Sequence, residues 1–122
     1  MKILFVHQNF PGQFPHLAPA LAARGHEVMA LTAETNQRPS PVKVMKYRKP
    51  AEVTIEPRLS KLYAECCERG LKVALAARQM RDQLGYVPDV IFGHPGWGET
   101  LVVREIWPKA TLLVYADLLY QT

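Results

Sequence analysis

The sequence has 122 residues, enough for one globular domain with a single core but too few for two. Its 48% hydrophobic and 21% charged residues are typical of soluble globular domains, and it has no apolar run long enough for a signal peptide or a membrane span. The formal net charge of +4 fits a domain that meets phosphates, but it is too small and too scattered to indicate nucleic-acid binding.

The predicted elements alternate between strands and helices. The first is an unbroken apolar run at 3–6, which is typical of a strand covered on both faces in a parallel sheet. The elements that follow are a helix at 16–24 capped by Gly25, strands at 26–32 and 42–47, a long helix at 57–84, a strand at 89–92, a short helix at 100–106 and a strand at 111–115.

The long helix carries apolar residues at steps of three and four, which predicts one buried stripe. These residues are Leu59, Leu62, Cys66, Val73, Ala77, Met80 and Leu84. Gly70 interrupts the stripe, and we expect it to bend or divide the helix.

Cys66 and Cys67 are neighbours in this helix. Adjacent helical side chains point about 100° apart, so a disulfide between them would be strained. They are not spaced as metal ligands either, and we therefore expect reduced thiols in a cytoplasmic protein.

The order of elements predicts one α/β domain over residues 1–122, a Rossmann-like three-layer sandwich with a mainly parallel sheet. Right-handed crossovers give the strand order 3-2-1-4-5. Because the order reverses between the first and fourth strands, ligands are expected beyond their carboxyl ends.

Two unusual loops follow these two strands, "HQNFPGQFP" at 7–15 and "GHPGWGE" at 93–99. Each carries glycine, which permits close approach to the backbone, and each leads towards a helix N-terminus, which favours phosphate or carboxylate. Turns of this kind also occur for purely structural reasons. The loops match neither GxGxxG nor GxxxxGK[ST], and the chain has no GxSxG or HExxH motif.

Several side chains in these loops are candidate ligand contacts, and each has a structural alternative. His94 and His7 each end a strand, where an imidazole contacts a ligand or bonds to backbone. His16 meets an anion or caps the first helix. Trp97 stacks on a sugar or base, or packs the loop. Glu99 accepts hydrogen bonds from hydroxyls, or sits at a helix N-terminus.

The segment "MKILFVHQNFPGQFPHLAPALAARGHEVMAL", together with "HPGWGET", resembles the N-terminal domain of family 4 glycosyltransferases of GT-B architecture. The "ARGHEV" element is common in such enzymes, whereas the pair "HQNFPGQF" and "HPGWGE" is more specific. The resemblance extends over essentially the whole chain. It implies that this domain mainly binds the acceptor and that a second domain, absent from these residues, binds a nucleotide-sugar donor.

The resemblance also implies a retaining transfer without metal or other cofactor, with the nucleotide-sugar as substrate. His94 would be the catalytic residue that meets the transferred sugar, and the Gly12 loop would approach the donor diphosphate. The implied substrate-binding residues are Gly12, Gln13, His16, Gly96, Trp97, Gly98 and Glu99. The acceptor would be a sugar or a lipid-linked molecule, and the full enzyme would associate peripherally with membranes.

A different class of function stays open from the sequence. The same sheet could serve a stand-alone, non-catalytic binding module, and a truncated sheet with an exposed edge favours homodimers. A Rossmann-like binder of another nucleotide is a third alternative.

Overall fold

The computed structural model of the chain describes residues 1–49, 58–94, 98–100 and 102–114, apart from the side chains at 58 and 59. The elements in these ranges are β1 (Lys2–Val6), α1 (Leu17–Ala23), β2 (Glu27–Ala33), β3 (Lys43–Tyr47), α2 (Arg58–Leu84), β4 (Val90–Gly93), α3 (Val103–Ile106) and β5 (Thr111–Val114).

The five strands form one sheet in the order β3-β2-β1-β4-β5, and every neighbouring pair is parallel. The predicted fold class and strand order are therefore confirmed. In this register Val6 lies opposite Leu31 on β2 and opposite Gly93 on β4. The residues that follow these positions consequently leave the sheet at the same level.

β1 is covered on both faces, as its unbroken apolar run predicts. Ile3 and Phe5 belong to the α1-side core, whose other members are Phe10, Phe14, Ala18 and Ala30. Leu4 and Val6 belong to the α2-side core, which α2, α3 and the neighbouring strands complete. All four strand side chains are at most 2% exposed, so the centre of the sheet lies between two apolar layers.

α2 continues through Gly70 as a single helix, so the expected division at this residue is wrong. A glycine costs a helix about 1 kcal/mol relative to alanine. Burial of each large apolar side chain contributes about 1.5–3 kcal/mol, and Val73 and Met80 are buried against the sheet. The free energy gained by packing these side chains therefore exceeds the cost of the glycine. The predicted stripe holds only in this middle part, because Leu62 and Leu84 are exposed.

The short third helix begins at Val103 rather than at 100, because residues 99 and 100 form a turn. Val103 is buried, and the indole Nε1 of Trp107 donates a hydrogen bond to the carbonyl of Tyr86 at 3.0 Å. This bond joins the end of α3 to the connection between α2 and β4. The predicted strand end at residue 115 lies outside the described residues.

Four phenylalanine rings hold the first loop on the sheet. Phe5 of β1 stacks on Phe92 of β4 with centroids 5.0 Å apart, and Phe10 and Phe14 from the loop lie 5.8 and 4.9 Å from Phe5. Each such pair adds about 0.5–1.5 kcal/mol beyond burial of its area. The loop is thus part of the α1-side core.

No disulfide joins Cys66 to Cys67 in the structure. Among the parts of the chain that the structure describes, no helix has both the length and the apolarity of a membrane span.

Replacement of Phe14 by alanine should lower the free energy of unfolding by about 3–5 kcal/mol, because it opens a cavity in the α1-side core. Leu17→Ala is the matched control: it lies three residues away but is 39% exposed, and about 1 kcal/mol is expected. Urea denaturation followed by circular dichroism measures both. Equal losses for the two variants would contradict this account of the loop.

Candidate functional site

His7 and His94 lie side by side at the carboxyl ends of β1 and β4. Their position follows from the register, because Val6 and Gly93 are partners and the two histidines come next in the chain. The rings meet edge to face, with centroids 6.2 Å apart and planes at 81°. Both side chains are buried, at 4% and 3% exposure. The two loops that the sequence singles out therefore meet through a pair of imidazole rings.

The backbone of Gly12 rests directly on the His7 ring. A Cβ atom at Gly12 would come within 2.6 Å of Cε1 and Nε2 of His7, and its φ of +49° is in the left-handed region. The other ring nitrogen, Nδ1, accepts a hydrogen bond from the backbone N–H of Asn9 at 2.9 Å. A neutral His7 ring consequently carries its proton on Nε2. Contacts from Gly12 through His7 to His94 thus join the first loop to the second.

Two polar residues that sequence reasoning missed hold the first loop from the side of β2. The Thr32 hydroxyl donates to the carbonyl of Gln8 at 3.0 Å and accepts from the N–H of Phe10 at 3.3 Å. The Asn36 amide donates to the carbonyl of Phe10 and to the Thr32 hydroxyl, both at 2.9 Å. The sequence feature that could have indicated this network is the threonine at the end of the predicted second strand, because that strand borders the first strand.

The second loop is packed closely on α2. Gly98 has a φ of +87°, and a Cβ atom there would overlap the backbone carbonyl of Cys66. Within the loop, a Cβ atom at Gly93 would overlap the side chain of Thr100. Glycine is required at position 98, because the backbone of α2 occupies the space, whereas at position 93 the neighbouring atoms belong to a threonine side chain.

Glu99 is fully buried, with 0% of its surface exposed. Burial raises the pKa of its carboxyl from 4.5 to about 7, while the charge of Arg69 and the backbone N–H of Gln8 lower it in part. The Gln8 amide is near, yet neither carboxylate oxygen accepts a hydrogen bond of regular geometry from the described residues. Because α3 begins at Val103, Glu99 does not lie at a helix N-terminus.

Gln13 and His16 line a pocket of about 300 Å³ beside the first loop. Its other lining residues are apolar: Phe14, Leu17, Phe92, Leu113 and Val114. His16 is the N-cap residue of α1, but its side chain makes no capping hydrogen bond. Of the predicted substrate residues, Gly96 and Trp97 lie outside the described residues, so their roles stay predictions.

A larger cavity of about 520 Å³ lies between β3 and α2, with Lys46, Arg48, Lys72 and Arg78 among its lining residues. β2 separates it from β1 and the first loop, although Tyr47, which lies near Glu99 of the second loop, is also among its lining residues. We locate the candidate site at the loops, because buried histidines, glycine backbone and an enclosed carboxyl group converge there.

Over residues 1–49, 58–94, 98–100 and 102–114, no three His, Cys, Asp or Glu side chains are grouped as metal ligands would be. That the reaction needs no metal stays a prediction.

A family model described as the glycosyl transferase family 4 group matches residues 24–122. The matched range includes the second loop and β2 to β5, whereas the first loop precedes it. A search of curated proteins gives no match to the chain.

Gly12→Ala should destabilise the protein by more than about 2 kcal/mol, because it combines a left-handed backbone with a clash against His7. Gly25→Ala is the matched control: its φ is +91° but a Cβ atom there meets nothing within 4 Å. Only the backbone cost of about 1–2 kcal/mol applies at Gly25. Urea unfolding measures both, and the His7 ring resonances should move only in the Gly12 variant. Indistinguishable variants would exclude the contact.

The Glu99 carboxyl should make stability depend on pH. Its pKa is raised on folding, so its favourable contribution is complete below pH 4.5, declines as the pH rises towards about 7, and levels off above that. The decline should be on the order of 3 kcal/mol in wild type relative to Glu99→Gln. Unfolding curves between pH 4.5 and 8.5 measure the difference. Glu105→Gln, which removes an exposed carboxylate, should follow wild type. A Glu99→Gln profile parallel to wild type would refute the assignment.

Proposed function

The chain belongs to the glycosyl transferase family 4 group, and from this premise we propose that it is the acceptor-side, N-terminal domain of a retaining, nucleotide-sugar-dependent glycosyltransferase of GT-B architecture. The observation that carries the proposal is the contact of Gly12 with His7 and of His7 with His94. Through it, backbone and imidazole groups from two neighbouring strands line the same edge of the sheet. In open α/β sheets this edge is where ligands bind.

Gly12 gives the donor diphosphate a close approach to the backbone. Its own N–H is engaged with the carbonyl of Asn9 at 3.0 Å, so its role is space rather than hydrogen bonding. The aromatic cluster and the Thr32 network hold the first loop in place. Because the loop is already in position, little free energy is needed to reorganise it during the reaction.

His94 contacts the transferred sugar in this proposal. Its ring is only 3% exposed, so the loop that carries it has to shift before a sugar reaches it. Closure of a donor-binding domain over the sheet edge would provide that shift, exclude water and align acceptor with donor.

The acceptor is a sugar or a lipid-linked molecule that occupies the pocket beside α1. Gln13 and His16 offer polar groups to hydroxyls, and the apolar wall formed by Phe14 and Phe92 suits a ring face or an aglycone. Gly98 and Glu99 are buried within the second loop, where Gly98 packs against α2, so both would act on the acceptor only indirectly.

The full enzyme is cytoplasmic and associates peripherally with anionic membranes in this proposal. The outer face of α2 supports it: Leu71 and Leu75 are exposed, with Lys72 and Arg78 beside them. Exposed leucine next to cationic side chains is the composition of an interfacial helix.

One observation favours the rival, a non-catalytic module that dimerises. Leu113 and Val114 on the outermost strand β5 are each nearly half exposed. Light scattering over a concentration series decides: a stable dimer without turnover favours the module, and a monomer removes its support. Titrations of the protein with nucleotide-sugars and with NAD test the third alternative. Binding of NAD rather than of nucleotide-sugars would indicate a Rossmann-like binder of another nucleotide.

Sugar transfer by the protein expressed from its complete reading frame tests the proposal. His94→Ala should lower kcat by about 10²–10³, the usual effect of removing one preorganised group that stabilises the transition state. His26→Ala is the control, because His26 precedes β2 at the opposite edge of the sheet. Release of nucleoside diphosphate measures both. The 122-residue chain alone should not turn over; activity there, or equal rates in the two variants, would refute the proposal.

A further inference from the structure

The cavity of about 520 Å³ between β3 and α2 brings together cationic side chains that are far apart in the sequence. Among the described residues that line it, the charged ones are Lys46, Arg48, Lys72, Arg78 and Asp82. Four cations thus accompany one carboxylate, in a chain whose formal net charge is only +4. Because like charges repel one another, a cavity that gathers them favours an anion between them.

The cations lie on two opposite walls of the cavity. Lys46 belongs to the end of β3 and Arg48 follows that strand, whereas Lys72 and Arg78 belong to α2. Tyr47, which separates the first two, is only 1% exposed and packs in the α2-side core, so the β3 wall is fixed. A ligand between the walls would therefore be held from both the sheet and the helix.

The protein itself uses these four cations to different extents. The Nζ of Lys46 donates a hydrogen bond at 2.9 Å to a backbone carbonyl of the segment between β2 and β3, which holds this ammonium group in place. The Nε of Arg78 lies 3.7 Å from a carboxylate oxygen of Asp82, in a pair whose side chains are 65% and 50% exposed and which is therefore weak. Arg48 and Lys72 form no ion pair with the described residues, so their charges are available to a ligand.

The charge and the size of the cavity favour a phosphate group over a single carboxylate. A phosphate monoester carries about −1.5 to −2 at pH 7, whereas one carboxylate would leave most of the positive charge unbalanced. Arginine presents a planar fork of N–H donors that matches phosphate oxygens, and lysine adds a point charge. Gln79 and Gln83 also line the cavity and offer amide groups to the rest of such a ligand.

We propose that the cavity between β3 and α2 is a second ligand site, which recognises a phosphate ester or diphosphate through Arg48, Lys72 and Arg78. The pocket beside α1 lies at the other end of the strand order, so this site binds its ligand independently of sugar transfer. The phosphate belongs either to a soluble metabolite or to a lipid headgroup, and only the second source rests on the membrane association proposed above.

Isothermal titration calorimetry of the 122-residue chain with pyrophosphate tests the site. Arg48→Gln and Lys72→Gln should each lower the affinity by about tenfold or more, because each removes a charge-assisted contact. Lys109→Gln removes the same charge from an exposed lysine that does not line the cavity, and it should change the affinity by less than about twofold. Citrate, which is highly charged but has no phosphate, should bind about tenfold more weakly than pyrophosphate.

¹⁵N NMR of the same chain locates the bound pyrophosphate. The backbone amides of Arg48 and Gln79 should shift during the titration, whereas that of Gly12 in the first loop should not. Co-sedimentation with phosphatidylcholine vesicles that contain phosphatidic acid distinguishes the two sources. Vesicle binding that Lys72→Gln weakens and pyrophosphate displaces supports a lipid headgroup, and pyrophosphate binding without vesicle binding supports a soluble ligand.

Four results would overturn the proposal. They are binding of neither probe, affinities of Arg48→Gln and Lys72→Gln that equal that of Lys109→Gln, citrate binding as tight as that of pyrophosphate, and shifts confined to the first loop. Circular dichroism verifies that the variants fold, and if one of the two cavity variants does not fold, the other decides alone. Sugar transfer is not measured in these experiments, so their failure would leave the proposed function untouched.

Discussion

The parallel pairing of β1 with β4 is the constraint on which the site depends. Val6 opposite Gly93 brings His7 and His94, which are 87 positions apart in the chain, to the same level. A slip of one residue would turn every side chain of β4 to the other face of the sheet. The two apolar layers prevent such a slip, because Phe92 and Ile91 belong to opposite cores.

The loops at this edge are ordered by burial rather than by regular secondary structure. Phe10 and Phe14 anchor the first loop, and the amide of Asn36 satisfies its backbone. Burial of Phe10 and Phe14 contributes about 1.5–3 kcal/mol for each ring and their ring pairs add about 0.5–1.5 kcal/mol each, whereas each hydrogen bond of the Thr32 and Asn36 network contributes about 0.5–1.5 kcal/mol. The rings therefore hold the loop, and the polar network selects its conformation.

Sequence reasoning could predict the sheet because the pattern that defines it is local. Unbroken apolar runs such as that of β1 are typical of covered strands, and alternation with helices fixes the order. It could not predict the continuity of α2 through Gly70, which depends on packing elsewhere in the helix. It also could not predict the burial of Glu99, because residues from β3, α2 and the first loop enclose that side chain. Thr32 and Asn36 were missed because their partners are distant in the chain.

The two corners of the site are attached to opposite layers of the sandwich. The loop after β1 is fastened by phenylalanines on the α1 side, and the loop after β4 leans on the backbone of α2 through Gly98. Damage to one layer therefore acts first on one loop and reaches the other through the contacts of His7 with His94 and of Gln8 with Glu99. A change of shape in one half of the site, during evolution or by engineering, has to be accommodated at these contacts.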